Sequence, residues 1–77
     1  MRTLPGVGNS LAAAIRRVNA AYNRLPESDR PEVDNEVWRR MEHAIDDACS
    51  VGDLEAALEA ISDWETFALR ELEEAAK

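Results

Sequence analysis

MEHAIDDACSVGDLEAALEAISDW, residues 41–64, decides the fold. Met41, Ala44, Ile45, Ala48 and Val51 recur at intervals of three and four, the period that gathers side chains on one face of an α-helix. The pattern breaks at Gly52, resumes at Leu54 and continues through Ala57, Leu58, Ile61 and Trp64. Glycine is the residue that most readily closes a helix in the left-handed conformation. An aspartate directly after it can cap the exposed N–H groups of the next helix. So short a connection turns the chain back on itself, and the spacing predicts an antiparallel helical hairpin.

Towards the C-terminus the pattern extends the third helix to about residues 54–76, with Ala68 and Leu72 continuing its core face. Phe67 and Leu69 lie to either side of that face and widen the apolar surface beyond the ~100° stripe that one neighbour requires. The surplus predicts either a central helix or a flank that meets another chain. Glu65 falls inside the apolar arc, where a carboxylate must reach solvent or find a partner such as an arginine or Tyr22.

Towards the N-terminus, Val37 and Trp38 extend the second helix back to about residue 32, with His43 on nearly the opposite side. The polar stretch PESDRPE, residues 26–32, separates it from a first helix at about residues 10–25, and Pro31 or Asp34 opens the second. Leu11, Ile15, Val18, Tyr22 and Leu25 form the first helix's stripe, and Arg17 and Arg24 stand opposite it. Asn9 or Ser10 is the expected N-cap, and Pro26 the stop. The expectation is an all-α, small three-helix bundle in one domain spanning residues 1–77, with an antiparallel helix 2–helix 3 hairpin and a long C-terminal helix. Trp38, Met41, Ile45, Leu58, Ile61 and Leu72 are its expected core.

Composition agrees with such a fold. Of 77 residues, 45% are hydrophobic and 32% charged, a balance that supports a folded domain near the lower limit of self-sufficient size. No apolar run approaches the ~18 residues of a membrane span, and no signal-peptide core follows Met1. Cys49 is the only cysteine, which excludes an internal disulfide and points to a reducing, cytoplasmic setting. Aromatic residues make up only 5%, too few for a platform on which bases stack.

The net charge of −7 is unevenly spread. Residues 1–24 carry Arg2, Arg16, Arg17 and Arg24 and no acid, whereas residues 41–77 carry eleven acids against Arg70 and Lys77. Such a division suits a basic helix lying beside an acidic one, or a molecule whose two ends face partners of opposite charge. Glu55, Glu59 and Asp63 follow one another at i+4, a spacing that costs a few tenths of a kcal/mol per like-charged pair. Glu71, Glu73 and Glu74 crowd the end of the helix where the dipole disfavours them. A helix built for stability alone would alternate signs.

TLPGVGNSLAAAI, residues 3–15, is the other unusual stretch. Leu4, Pro5, Gly6, Val7, Gly8, Leu11, Ala12 and Ile15 resemble the hairpin and second helix of the helix-hairpin-helix motif, which binds the DNA backbone non-specifically. The resemblance covers about twelve residues. It implies that Gly6, Val7, Gly8 and Ser10 would bring backbone N–H groups to a phosphate, with Arg16 and Arg17 adding positive charge. The physics of a helix N-terminus behind a glycine turn allows this. Only Met1, Arg2 and Thr3 precede Leu4, however, where the motif carries a supporting helix. The chain also lacks the positive excess that drives nucleic-acid binding. The expectation is that Pro5-Gly6 makes a turn, that Leu4 and Val7 dock as an apolar latch, and that the loop starts a helix.

Catalytic chemistry finds no foothold. His43 stands alone on a solvent face, Cys49 has no base beside it, and no Glu-x-x-His pair exists for an inward-facing metal site. The sequence therefore predicts no catalytic residue, metal, cofactor, small-molecule substrate or membrane contact. It predicts a non-enzymatic protein–protein interaction module, a small regulator or inhibitor. Its basic protein partner would meet Glu55, Glu59, Asp63, Trp64 and Phe67, and a homodimer is expected through helix three. The alternative is the DNA-backbone binder. A third reading is an acidic mimic of nucleic acid, of the kind found among small phage and mobile-element proteins.

Overall fold

The structure is a computed structural model that describes residues 5–31 and 35–76. They form α1 (Val7–Asn23), α2 (Asn35–Ser50) and α3 (Leu54–Ala75), with a single 3₁₀ turn at Glu27–Asp29 and no strand among the described residues. Both α1 and α2 pack on α3, which makes α3 the central helix of a small all-α bundle.

The α2–α3 turn takes the form the sequence predicts. Gly52 adopts φ 74°. Its N–H donates to Cys49 O at 3.3 Å, and the Asp53 N–H donates to Ala48 O at 2.8 Å. These two bonds make the Schellman closure of a helix. Asp53 then begins α3, and its Oδ1 accepts from the Ala56 N–H at 3.0 Å. Val51 belongs to the turn and not to α2, so α2 ends one residue earlier than expected. Its expected start at residues 32–34, Asp34 included, lies outside the described residues.

α1 departs more. It starts at Val7, not near Ser10, because Gly6 takes φ 90° and ψ −20° behind Pro5 and becomes the N-cap. The first helical bond runs from the Ser10 N–H to Gly6 O at 3.0 Å, and neither Asn9 nor Ser10 caps the helix. Burial explains the earlier start, since Val7 is only 1% exposed and joins the core. Leu4, the other half of the expected latch, lies outside the described residues. At the far end α1 stops at Asn23, ahead of Pro26. The Arg24 and Leu25 N–H groups bond three residues back, to Ala21 O and Tyr22 O. Leu25 is buried even so. Arg30 folds the connection against this end: its Nε donates to Leu25 O at 3.3 Å, and its guanidinium lies 5.1 Å from the centre of the Tyr22 ring.

The core is built on small residues. Ala14, Ala48 and Ala57 are buried with Val7 and Ile61, and Leu11, Ile45, Ala56 and Trp64 pack around them. Met41, Leu25 and Leu72 are also buried. Alanines at the seams let the helix axes approach closely, and this sets which line of α3 points inward. That line passes through Ala57 and Ile61. Leu58, one residue and ~100° further round, is turned to the flank and is 36% exposed, against the core place expected of it. Leu54, Val51 and Ala44 are likewise exposed, not part of the apolar seam. Trp38 and Ile45 are half-buried. Trp38 meets Trp64 edge-on with ring centres 5.1 Å apart, an arrangement that suits the ring quadrupoles.

Val7 of α1, Ala48 late in α2 and Ala57 early in α3 share one cluster, and Arg17 reaches Glu65 further along. α1 and α3 therefore run parallel, with α2 antiparallel to both. The molecule is elongated, 42 × 21 × 17 Å, with a radius of gyration of 13.4 Å, where a compact chain of this length would have about 11.5 Å. No helix among the described residues is long and apolar enough to cross a membrane.

Candidate interaction surfaces

Three surfaces stand out, and the first is the seam between α1 and α3. Glu65 sits on the inward side of α3, and its side chain is only 16% exposed. Arg17 reaches across from α1 and grips it with both arms of the fork, its Nε on Oε2 and its second terminal nitrogen on Oε1 at 2.8 Å. The hydrogen bond to Arg17 holds the Glu65 carboxyl below the ordinary carboxylate range, and the same bond raises Arg17. Arg17 was expected opposite the apolar stripe; instead its long stem lets the guanidinium reach over the seam. This answers the demand that Glu65 find a partner, and it takes Arg17 away from solvent anions.

The second surface is the outer face of α3. Glu55, Glu59, Asp63 and Phe67 succeed one another at i+4 and therefore climb the helix as one row. All four are exposed, and Phe67 is 40% exposed. The two ion pairs among the described residues, Arg17–Glu65 and Arg40–Glu36, leave the three acids of this row out. Trp64, which the sequence groups with them, is half-buried against Trp38 and serves chiefly to join α2 to α3.

The third is the start of α1. Gly6 forms the turn, Gly8 lies within the first helical turn, and an added Cβ would meet nothing within 4 Å at either. Val7 between them is turned into the core, and Ser10 is part of the helix. Arg16 donates from Nε to Ala12 O at 3.5 Å. Arg16 and Arg17 stand about 14 Å up the helix from its start, too far to close on a phosphate held there. The structure therefore separates the glycines from the charges that the DNA-backbone reading needs together.

Elsewhere, His43 is exposed and Cys49 half-buried. No three of the His, Cys, Asp and Glu side chains among the described residues converge where they could hold a metal. An apolar corner at the α2–α3 turn, made of Val51, Leu54 and Leu58, is absent from the sequence reading, which assigned all three inward by spacing alone. Comparison with known protein families, curated proteins and solved structures finds no match to this chain, so its function rests on these surfaces.

Proposed function

We propose that the chain is a non-enzymatic protein–protein interaction module that receives a basic partner on the outer face of α3. The observation that carries this reading is Phe67, a large aromatic left 40% exposed at the end of an acidic row. Interface energy concentrates on aromatic anchors of this kind, and flanking charge of one sign selects and steers a partner of the other. Because α3 is already central, Trp64 is occupied within the bundle, and apart from the Val51–Leu54–Leu58 corner at the α2–α3 turn the exposed large apolar side chain of α3 is Phe67. That flank is offered to a foreign partner. A lone thiol and the absence of a membrane-spanning helix among the described residues fit action in the cytoplasm.

Affinity capture from the source cell, with and without nuclease, tests the reading. The wild type should retain a protein after nuclease treatment, and both Phe67→Glu and the double charge reversal Glu59→Lys/Asp63→Lys should release it while keeping their helical content. Retention by both variants, or loss on nuclease treatment alone, sinks the proposal; the second result favours the DNA-backbone reading.

A further inference from the structure

α1 and α3 run side by side with the Arg17–Glu65 pair across their seam, and the surface over that seam is divided by charge. On α1, Ala13, Arg16, Ala20 and Arg24 recur at helical spacing along the seam's edge, with both arginines exposed. On α3, the matching row is Glu55, Leu58, Ser62, Leu69 and Glu73, with Glu59 beside it on the outer side, and the three acids and Leu58 are exposed. The centre of this face is thus small or apolar, one edge is basic and the other acidic.

We propose that this α1–α3 face seats a second copy of the chain, related to the first by a two-fold axis parallel to the helices. The direction of the axis follows from charge. Rotation about a line parallel to α1 and α3 lays the basic edge of each copy on the acidic edge of the other. Rotation about a line across the helices would set arginine against arginine. An isologous contact of this kind is self-complementary by construction.

The Arg17–Glu65 pair also sets the heights. With Arg17 level with Glu65, Arg24 comes level with the turn that holds Glu73, and Arg16 lies within ~8 Å along the axis of Glu59. Both are within reach of an arginine side chain. Arg17 and Glu65 sit at the middle already paired in bidentate form, so covering them strands no lone charge. Size is adequate. Two helices ~25 Å long and ~10 Å apart present roughly 500 Å² of plane. The side chains standing on it raise the accessible area towards the ~800 Å² per partner of a stable interface. The net charge of −7 on each copy opposes approach, but screening confines that repulsion to ~8 Å at physiological salt, while the opposed edges meet at contact.

The two faces adjoin along α3 and share Glu55 and Glu59, so the proposals are separated by residues that belong to one face alone. Phe67→Glu should release the foreign partner and keep the dimer, and Arg16→Glu/Arg24→Glu on α1 should dissolve the dimer and keep the partner. Sedimentation of the full chain should show a dimer at tens of micromolar. Arg16→Glu/Arg24→Glu and Glu59→Arg/Glu73→Arg should each sediment as monomers with unchanged helical content, and an equimolar mixture of the two should recover the dimer. Phe67→Glu should leave the dimer intact. A wild-type monomer at high micromolar concentration overturns the proposal. So does a dimer that survives both charge reversals, a mixture that stays monomeric, or a dimer that Phe67→Glu dissolves.

Discussion

Glu65 and the buried alanines show how much a single side chain decides here. A carboxylate on the inward side of α3 would be costly alone, and the forked bond from Arg17 makes it tolerable. Since the folded pKa of Glu65 is lowered, its contribution is fully present above the ordinary glutamate value of ~4.3. It is lost as pH falls through the lower folded value. The stability difference between wild type and Glu65→Gln should accordingly be constant from pH 6 to 8 and shrink below about pH 4; denaturant titrations across that range would show it, and a gap that widens in acid contradicts the sign. The need for a partner was legible from spacing alone, whereas the identity of Arg17 was not. The Leu11–Leu25 stripe sets Arg17 opposite the covered face, while in the structure Arg17 stands one turn from the fully buried Ala14 and spans the seam. Leu58 teaches the converse. Spacing ranks large side chains as core, yet the close seams here are set by alanines with no exposed surface, Ala14 and Ala57. Ile61→Ala should cost ~2–4 kcal/mol, Leu58→Ala about 1 kcal/mol, and Ala57→Leu ~1–3 kcal/mol from overpacking. Thermal midpoints in that order would check the assignment, and Leu58→Ala equalling Ile61→Ala would reverse it.

Among the elements, the α2–α3 hairpin was legible because its signals are local. Gly52 and Asp53 each satisfy a particular group at a helix end, and those groups lie within five residues of them. Gly52→Ala should destabilise by ~1–2 kcal/mol, the cost of holding an L-residue in the left-handed region. Nothing lies within 4 Å of the added methyl, so the backbone alone bears that cost. Asp53→Ala should remove ~1 kcal/mol through the lost cap. Chemical denaturation of both variants measures this, and a neutral Gly52→Ala would mean the turn can close another way. The start of α1 was less legible, since two candidate cap side chains, Asn9 and Ser10, outranked Gly6 on propensity. Burial of Val7, a tertiary effect, overrode them. The same early start places Gly8 inside the helix and leaves the supposed hairpin as one glycine turn. Duplex DNA should accordingly show no binding at physiological salt by fluorescence anisotropy. Salt-sensitive binding abolished by Gly6→Ala and Gly8→Ala would restore that reading.

For the molecule as a whole, three amphipathic stripes announce a bundle without saying which helix is central, because a stripe records that a face is covered and not by what. Connection length orders only the hairpin; the longer link, with Pro26 and Pro31, leaves the seat of α1 open. The structure puts both outer helices on α3, and this makes their attachments unequal. α2 is held by packing, by the Trp38–Trp64 contact and by a three-residue connection, Val51–Asp53, that keeps it close to α3 even when contacts break. α1 is held by Val7, Ala14 and their neighbours and by the Arg17–Glu65 bond, and a longer connection lets it depart. An element on the longer connection gains more conformational freedom when it detaches, and a unit of this kind opens locally at lower free energy than the global transition. Native-state hydrogen exchange should therefore find the amides of α1 around Ala14 less protected than those of α2 around Met41 and of α3 around Ile61. Arg17→Ala, which cuts a bond that only α1 and α3 share, should lower protection throughout α1 while leaving the hairpin's most protected amides nearly as slow as before. Equal protection in all three helices, or a loss spread evenly over the molecule in Arg17→Ala, would mean that the bundle opens as one unit and that α1 is as firmly seated as the hairpin.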